Sequence, residues 1–315
     1  MKQRTIGRSG LRVSEIGLGC NNFGGRIDFD ASREVVHAAL DAGINFFDTA
    51  DGYGNKGGSE RILGRILSEK RNDVVIATKC GATMDDAAGK PGASRRYIMS
   101  AVEDSLRRLD TDWIDLYYIH WPDPQTPIDE TLRALDDLIH QGKVRYIGSS
   151  NFPAWQAVEA EWVARELGLN RFICAQNEYS LLKRDVEREL LPALAEYKLG
   201  LVPYFPLANG LLTGKYQRDK AAPEGSRLAA WSQLGESYVT EENWNVIERL
   251  EAFCAERNHC LLELAFSWLL AQPQTASVIA GATKPEQIRQ NAAAADWRLS
   301  ADELDEISYL LSKQP

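Results

Sequence analysis

Four ionisable side chains follow short apolar runs in the amino-terminal part of the sequence. Asp48 and Tyr53 come after one such run, Lys79 after the next and His120 after a third. Apolar runs of this length between helical patterns are typical of buried parallel strands, whose carboxyl ends open on a common face. A carboxylic acid, a phenol, an amine and an imidazole would then lie close together on that face. A phenol beside an ammonium is a proton donor with a lowered pKa, so the pattern indicates an enzyme that protonates its substrate.

The elements that must position these groups alternate between strand and helix after a predicted hairpin over residues 4–13. The predicted strands are 15–18, 44–47, 74–78, 114–119, 144–148, 171–175, 201–204 and 277–280, and the predicted helices are 31–42, 59–68, 94–109, 128–141, 153–167, 186–197, 241–256, 261–271, 285–295 and 301–311. Eight such units, without a Gly-rich dinucleotide turn after the first strand, favour a closed parallel barrel over an open sheet. We therefore expect an α/β fold, a (β/α)8 TIM barrel with an N-terminal β-hairpin and a C-terminal extra helix, as one domain over residues 1–315.

Composition narrows the classes of protein. The chain has 315 residues, of which 44% are hydrophobic and 26% charged, enough for a sizeable core. A net charge of -9 makes nucleic acid and anionic membrane surfaces poor partners. No apolar run has the length of a secretory signal or a membrane span, which favours a cytoplasmic location. The five cysteines contain no C-x-x-C pair, which argues against a disulfide framework and a metal site.

Several motifs, taken together, resemble an aldo-keto reductase nearly from end to end. The matching segments are 47–54 with 58–60, 77–79, 118–123, 148–152 and 211–216. The resemblance implies an NADPH- or NADH-dependent carbonyl reductase on a barrel, with Asp48, Tyr53, Lys79 and His120 as catalytic residues. Tyr53 would donate a proton to the carbonyl oxygen, helped by the Lys79 ammonium, which Asp48 keeps charged. His120 would orient the carbonyl.

The resemblance also implies a nicotinamide cofactor site. The hydroxyl and amide groups of Ser150, Asn151 and Gln176, at strand ends, would bind the carboxamide, and the ring of Tyr204 would stack on the nicotinamide. A loop would cover the pyrophosphate with Leu207, Gly210, Leu211, Thr213 and Lys215. The start of a helix would bind the adenosine phosphate with Gly281, Thr283, Lys284, Gln287, Gln290 and Asn291.

The choice between NADP and NAD depends on the residues around the start of the predicted helix 285–295. Some relatives have Lys and Arg where this chain has Gly281 and Gln287, which leaves Lys284 as the nearby cation and Arg289 as a second candidate. A 2′-phosphate needs a local positive charge, which Lys284 can supply. NADP is therefore favoured, and NAD stays possible.

The substrate pocket is only outlined by the sequence. Trp121 directly follows His120, and Asn22 and Phe23 follow the first predicted barrel strand, so these three are expected in its wall. Trp231 and Tyr216 are further aromatic candidates. Two irregular stretches, 81–93 and 206–237, follow strands and are expected on the active face.

Two alternatives remain beside a carbonyl reductase. The first is an NAD-dependent sugar or polyol dehydrogenase that uses the same residues mainly in the oxidative direction. The second, from another class, is a regulatory subunit that senses the redox state of its bound cofactor for a partner protein. The complete set of four ionisable residues argues against the second. The natural substrate, the physiological direction and the oligomeric state are left open by the sequence.

Overall fold

The computed structural model describes residues 1–81, 92–223, 226–230 and 238–312. Two strands form an antiparallel hairpin and eight form one parallel sheet. The strands are β1 (Gln3–Thr5), β2 (Arg12–Ser14), β3 (Ile16–Gly19), β4 (Phe46–Asp48), β5 (Val75–Cys80), β6 (Ile114–Ile119), β7 (Val144–Ser150), β8 (Cys174–Gln176), β9 (Gly200–Leu201) and β10 (Val278–Gly281). The parallel strands follow the order β10-β3-β4-β5-β6-β7-β8-β9, so neighbours in the sheet are neighbours in the chain except where β10 returns beside β3.

Helices cover the outside of this sheet. They are α1 (Phe29–Asp41), α2 (Tyr53–Leu67), α3 (Arg95–Leu109), α4 (Ile128–His140), α5 (Ala154–Glu166), α6 (Leu190–Tyr197), α7 (Arg227–Ala230), α8 (Glu241–Glu256), α9 (Leu261–Ala271), α10 (Pro285–Ala294) and α11 (Ala301–Ser312). Within the residues described, no helix is long and apolar enough to cross a membrane.

The sheet closes into a barrel at the junction between β9 and the segment that leads into β10. Leu201 forms a parallel bridge with Thr275. Its N–H donates to the Gln274 carbonyl at 2.6 Å, and the Ala276 N–H donates to the Leu201 carbonyl at 2.8 Å. These bonds pair the last open edge, so the predicted (β/α)8 barrel with its N-terminal hairpin is confirmed.

The core has two layers because each barrel strand is buried on both faces. Every residue of β5 and β6 is buried. Alternate side chains enter an inner cluster that includes Leu116 and Tyr118, whereas Tyr117 and Ile119 join the larger cluster between strands and helices. A helix such as α4 contributes one apolar stripe to that outer layer, with Leu135 fully buried.

The hairpin closes the end of the barrel opposite the strand carboxyl ends. Ile6 and Val13 belong to the inner cluster. Gly7 has φ +52°, and a Cβ there would lie 2.3 Å from the carbonyl oxygen of Ile173, just before β8. Only glycine allows this close approach of the hairpin turn to the barrel floor.

Two predicted elements differ from the structure near prolines. The predicted strand 201–204 shrinks to Gly200–Leu201, because Pro203 has no N–H for a ladder bond. The predicted helix 186–197 begins at Leu190, after a 3-10 turn at Asp185–Glu187. Pro192 fits the first turn of this shorter helix, where its missing N–H needs no partner, but it would interrupt a helix that began at residue 186.

Other strand boundaries move by a few residues. The predicted strand 171–175 is found at Cys174–Gln176, and β5 and β7 each extend two residues beyond their predicted ends. Most of the predicted loop 81–93, and Trp231, lie outside the described residues.

A buried carboxylate fastens the hairpin to the helical layer. Glu161 on α5 has a side chain that is 1% exposed, and it pairs with Arg8 of the hairpin at 2.7 Å, with Arg165 at 2.7 Å and with Arg171 at 2.8 Å. Because Glu161 is the shared partner of these three arginines, its charge joins elements that are distant in sequence.

We expect Glu161→Gln to lower the free energy of unfolding by about 2–3 kcal/mol, since it removes a charge that buried hydrogen bonds hold. Urea denaturation measures the change. Glu159→Gln, at an exposed position on the same helix, is the matched control and should change stability by less than about 0.5 kcal/mol. Equal effects of the two substitutions would contradict this role of Glu161.

Candidate active site

A cavity of about 400 Å³ opens at the carboxyl ends of the barrel strands. Three of the four predicted ionisable residues line it: Asp48 is the last residue of β4, Tyr53 is the first of α2 in the segment that follows β4, and His120 directly follows β6. Lys79 lies within β5 and is fully buried behind the lining residues. The structure therefore brings the four predicted groups together at one end of the barrel.

An ion pair lies beneath the cavity. The Lys79 ammonium donates to Asp48 Oδ1 at 2.5 Å and to the Thr49 carbonyl at 2.7 Å. Burial by itself lowers the pKa of Lys79, but the negative charge of Asp48 and the interactions of the ammonium with the Asp48 and Tyr53 oxygens outweigh it, so the pKa is raised above its ordinary value. Lys79 therefore stays charged at neutral pH.

Tyr53 lies beside this ammonium. Lys79 Nζ is 5.0 Å from the centroid of the Tyr53 ring, and its positive charge acts on the phenol. The sequence predicts a lowered pKa here, and this is wrong: burial raises the pKa of Tyr53 more than the charge of Lys79 lowers it. The consequence is a phenol that keeps its proton at neutral pH, next to a cation that can stabilise the phenolate.

His120 completes the group as a neutral imidazole. Its ring meets that of Tyr53 edge to face, with centroids 5.8 Å apart. Burial and, to a smaller extent, the charge of Lys79 lower the pKa of His120 to about 3. Its Nδ1 is buried without a hydrogen-bond partner among the described residues. A neutral ring can donate a hydrogen bond from one nitrogen only.

An unusual turn sets the position of Tyr53. Directly after it, Gly54, Asn55, Lys56 and Gly57 all have left-handed backbone conformations. A Cβ on Gly54 would lie 2.3 Å from the Phe23 carbonyl oxygen. The turn therefore needs glycine at this point, and the regular helix begins only beyond it, near the predicted start at residue 59.

The polar residues predicted at the inner end of the cavity form one network. Asn151 has φ 61° and donates to the His120 carbonyl at 2.9 Å and to Ser150 Oγ at 3.1 Å. Its Oδ1 accepts the Tyr204 hydroxyl at 2.8 Å. Gln176 Nε2 donates to Asp48 Oδ2 at 2.8 Å. All four predicted residues line the cavity.

The outer end of the cavity matches the prediction in part. Seven of the predicted residues line it: Leu207, Gly210, Thr213, the cation Lys215, Gly281, Thr283 and Gln287. Leu211 does not, because it is buried in the hydrophobic core. Lys284, Gln290 and Asn291 are also absent from the lining. Lys284 is exposed just before α10, Gln290 is exposed on α10, and Asn291 is buried.

The predicted substrate wall needs one correction. Asn22 and Trp121 line the cavity, and Trp121 is 54% exposed at its mouth. Phe23 does not, because its fully buried ring packs in the core. Tyr216, a weaker candidate, is also buried there.

Sequence reasoning missed several lining residues. They are Gly19, Asn21, Arg26, Phe205, Pro206, Asn209, Ser226, Ile279 and Ala280. Most of them stand at or just beyond the end of a barrel strand, so the rule that found Asp48 and His120 would also have found these neighbours. Ser226, like Pro206 and Asn209, falls in the irregular stretch 206–237, which the sequence predicts on the active face without naming these residues. Arg26 lies in a loop, where strand position gives no signal.

Comparison with known proteins agrees with this geometry. The model of the Aldo/keto reductase family matches residues 15–311. The chain belongs to this family. One similar protein is a "Probable voltage-gated potassium channel subunit beta" of Oryza sativa subsp. japonica, 37% identical over 100% of this chain and 98% of the relative. A protein of the same description from Arabidopsis thaliana is 36% identical with the same coverage.

Another relative of this aldo/keto reductase carries an enzymatic description. The "Uncharacterized oxidoreductase YrpG" of Bacillus subtilis (strain 168) is 37% identical over 96% of this chain and 93% of the relative. Family membership and this relative support an oxidoreductase in general terms.

The left-handed turn gives a test of how Tyr53 is held. We expect Gly54→Ala in this aldo/keto reductase to lower the free energy of unfolding by about 2–4 kcal/mol, because it adds a backbone clash to the cost of a positive φ. Gly168→Ala is the matched control: Gly168 has φ +67° with no atom within 4 Å of its Cβ position, so only the cost of the positive φ, about 1 kcal/mol, applies. Urea denaturation of both variants gives the difference, and equal losses would contradict the clash.

Proposed function

We propose that this aldo/keto reductase catalyses reversible hydride transfer between a nicotinamide cofactor and an aldehyde or ketone, with Tyr53 as the general acid in reduction. The observation that carries the proposal is the position of a protonated, buried phenol at a cavity wall, directly against the Lys79 ammonium. A proton donor must hold its proton before the reaction and lose it easily during the reaction. Burial provides the first property and Lys79 the second.

The chain's own residues supply the proton chemistry. When bound, the nicotinamide ring supplies the hydride. As negative charge grows on the carbonyl oxygen, Tyr53 transfers its proton to that oxygen, and the resulting phenolate is stabilised by Lys79. Asp48 holds Lys79 charged and in place through the 2.5 Å contact. General acid catalysis of this kind contributes about 10²–10⁴-fold to a rate.

His120 orients the carbonyl in this proposal. With its pKa near 3 it is neutral throughout the physiological range, so it can donate a hydrogen bond to the substrate oxygen without competing as an acid. The edge-to-face contact with Tyr53 keeps both rings on the same side of the cavity. A substrate oxygen between them would meet two donors.

The donor set of the cavity supports a dinucleotide. Ser150, Asn151 and Gln176 offer the hydroxyl and amide groups that a carboxamide needs, and the ring of Tyr204 is beside them. At the other end, Lys215 Nζ would be 3.4 Å from a Cβ on Gly210, so the glycine leaves room next to a cation. Such a pairing suits a pyrophosphate.

NADP is the cofactor we favour. Gln287 is engaged as a cap, because its Oε1 accepts the Thr283 N–H at 2.8 Å and the Lys284 N–H at 3.2 Å. Its amide NH2 is then left to donate to a phosphate, and the exposed Lys284 lies at the same helix start. Fluorescence titration with NADPH and NADH separates the two cofactors: tighter binding of NADH would favour the sugar or polyol dehydrogenase instead.

A second function, regulation of a partner protein through the bound cofactor, is favoured by one observation. Two relatives that match this chain over its whole length are described as probable potassium channel β subunits. Turnover of a panel of simple aldehydes distinguishes the two functions. An enzyme should reduce several of them at rates of about 1 s⁻¹ or more, whereas a redox sensor would bind cofactor and turn over far more slowly.

Removal of the Tyr53 hydroxyl tests the proposed acid. We expect Tyr53→Phe to lower kcat for aldehyde reduction at least about 10²-fold and to leave the dissociation constant of the cofactor within about threefold, because the hydroxyl acts only in the transition state. Steady-state kinetics and fluorescence titration measure the two effects. Near-normal turnover in Tyr53→Phe would refute the assigned role.

The pH dependence of reduction follows from the raised pKa of Tyr53. The acid form is present below the pKa and is lost as the pH rises through it, so kcat should stay level from about pH 6 to pH 9 and fall only above about pH 10, the ordinary value for a phenol. His120 is neutral over this whole range. An alkaline fall centred near pH 7 would show that Lys79 outweighs burial at Tyr53.

A further inference from the structure

Glu60 is a fully buried carboxylate near the start of the regular part of α2, and it does not line the cavity. Its Oε1 accepts the Thr78 hydroxyl at 2.6 Å, and its Oε2 accepts Arg108 Nε at 2.6 Å. Thr78 is the residue before Lys79 on β5, and Arg108 belongs to α3. One carboxylate therefore joins the helix that begins at Tyr53 to the strand that carries the ammonium and to the next helix.

The side chain of Arg108 also lies against the left-handed turn that follows Tyr53. Gly57, the last residue of that turn, has φ +96°, and a Cβ there would lie 2.4 Å from Arg108 Cδ and 2.6 Å from its Nε. Any side chain at residue 57 would thus enter the space that the arginine fills. Because Glu60 pairs with Arg108 through the same Nε, it holds the arginine in place against the turn.

The residue before Glu60 makes a second connection to the ion pair. Ser59 Oγ accepts the Thr49 hydroxyl at 2.8 Å, and the Thr49 carbonyl accepts the Lys79 ammonium at 2.7 Å. Thr49 directly follows Asp48 in the chain. Two consecutive residues of α2 therefore bind the residue that follows the acid and the residue that precedes the amine.

The inner face of the barrel beside Lys79 is held by close packing instead. Lys79 on β5, Tyr118 on β6 and Gly148 on β7 stand in one row across the sheet. A Cβ on Gly148 would lie only 2.7 Å from Tyr118 Cε1, so the barrel leaves out one side chain to make room for the ring. This packing aligns Lys79 with its neighbours in the sheet, whereas the position of Tyr53 relative to Lys79 depends on contacts between α2 and β5.

We propose that Glu60 is a positioning residue, which binds Thr78 and Arg108 so that the Tyr53 phenol stays against the Lys79 ammonium. The proposal rests on the function proposed above, and it assigns Glu60 no contact with the substrate, the cofactor or the reacting atoms. Thr78 connects the carboxylate to Lys79 along the strand, and Arg108 connects it to Tyr53 through the turn. A displacement of about 1 Å between reacting groups can lower a rate about 10²-fold, so even a small loosening is measurable.

Glu60→Met tests the proposal, because it keeps the approximate length of the side chain and removes both acceptors. We expect kcat for aldehyde reduction to fall about tenfold, since the acid and its cation are no longer held together. KM for the aldehyde and the dissociation constant of NADPH should stay within about twofold, because no lining residue has changed. Steady-state kinetics and fluorescence titration with NADPH measure these quantities.

Thr78 provides a second pair of variants on the same hydrogen bond. Thr78→Val keeps the shape of the side chain and removes the hydroxyl, so it should lower kcat about fivefold with the same small effects on KM and on NADPH binding. Thr78→Ser keeps the hydroxyl and should have a kcat within about twofold of the wild-type value.

Two comparisons separate positioning from a general loss of stability. Glu161→Gln alters another buried carboxylate that binds arginines, but at the hairpin end of the barrel, so it should lose stability and keep kcat within about twofold. Adding Glu60→Met to Tyr53→Phe should change the residual rate by less than about twofold, because Glu60 acts through the position of the phenol that this variant lacks.

Three results would overturn the proposal: a normal kcat in Glu60→Met, an equal loss of kcat in Glu161→Gln, or a further tenfold loss when Glu60→Met is added to Tyr53→Phe. Circular dichroism establishes that each variant is folded. If Glu60→Met does not fold, the Thr78 variants carry the test, and a normal kcat in Thr78→Val refutes the proposal. A wild-type protein that binds NADPH but reduces no aldehyde would refute the proposed function instead.

Discussion

The site depends on a single buried ion pair. Lys79 has no contact with water, and its charge is tolerated there because Asp48 and the Thr49 carbonyl accept its hydrogen bonds. An ammonium without these partners would lose its proton on burial. Asp48 is in turn satisfied on its other oxygen by Gln176. The three residues come from different strands, so the barrel has to be closed and in register before the charge can be kept.

Burial and the charge of Lys79 have opposite effects on the pKa of Tyr53. The low-polarity surroundings that keep its proton on at rest also make the attraction of Lys79 stronger when charge develops. His120 experiences the same surroundings with the opposite result, since burial removes its charge. One environment thus gives a protonated phenol and an uncharged imidazole side by side.

Much of this arrangement could be predicted from the sequence, because two simple rules govern it. Apolar runs identify buried strands, and polar residues just after them meet at one end of a parallel barrel, which is why Asp48 and His120 were found. The rules do not say which of two adjacent residues after a strand faces the cavity. Asn22 lines the cavity, whereas the side chain of its neighbour Phe23 packs in the core. Leu211, which the resemblance implies as a cofactor residue, is likewise buried in the core.

Other features depend on contacts that no local pattern reveals. The left-handed turn after Tyr53 is set by the Phe23 carbonyl, which is distant in sequence. The direction of the pKa shift at Tyr53 depends on how much burial outweighs a nearby charge, and this balance needs coordinates. The residues expected to bind the adenosine phosphate at and after the start of α10, such as Lys284 and Gln290, were placed by resemblance alone, and their side chains lie outside the cavity lining.

The fit of Tyr118 against Gly148 has a consequence for how such barrels diverge. The two positions share one volume, since any Cβ at residue 148 would enter the space that the aromatic ring fills. Neither can enlarge unless the other shrinks, so a lineage that exchanges the tyrosine for a smaller residue is free to place alanine or valine on the adjoining strand. In related chains the residues at these two positions should therefore change together, and the reason would be the packing of the barrel interior and not the reaction.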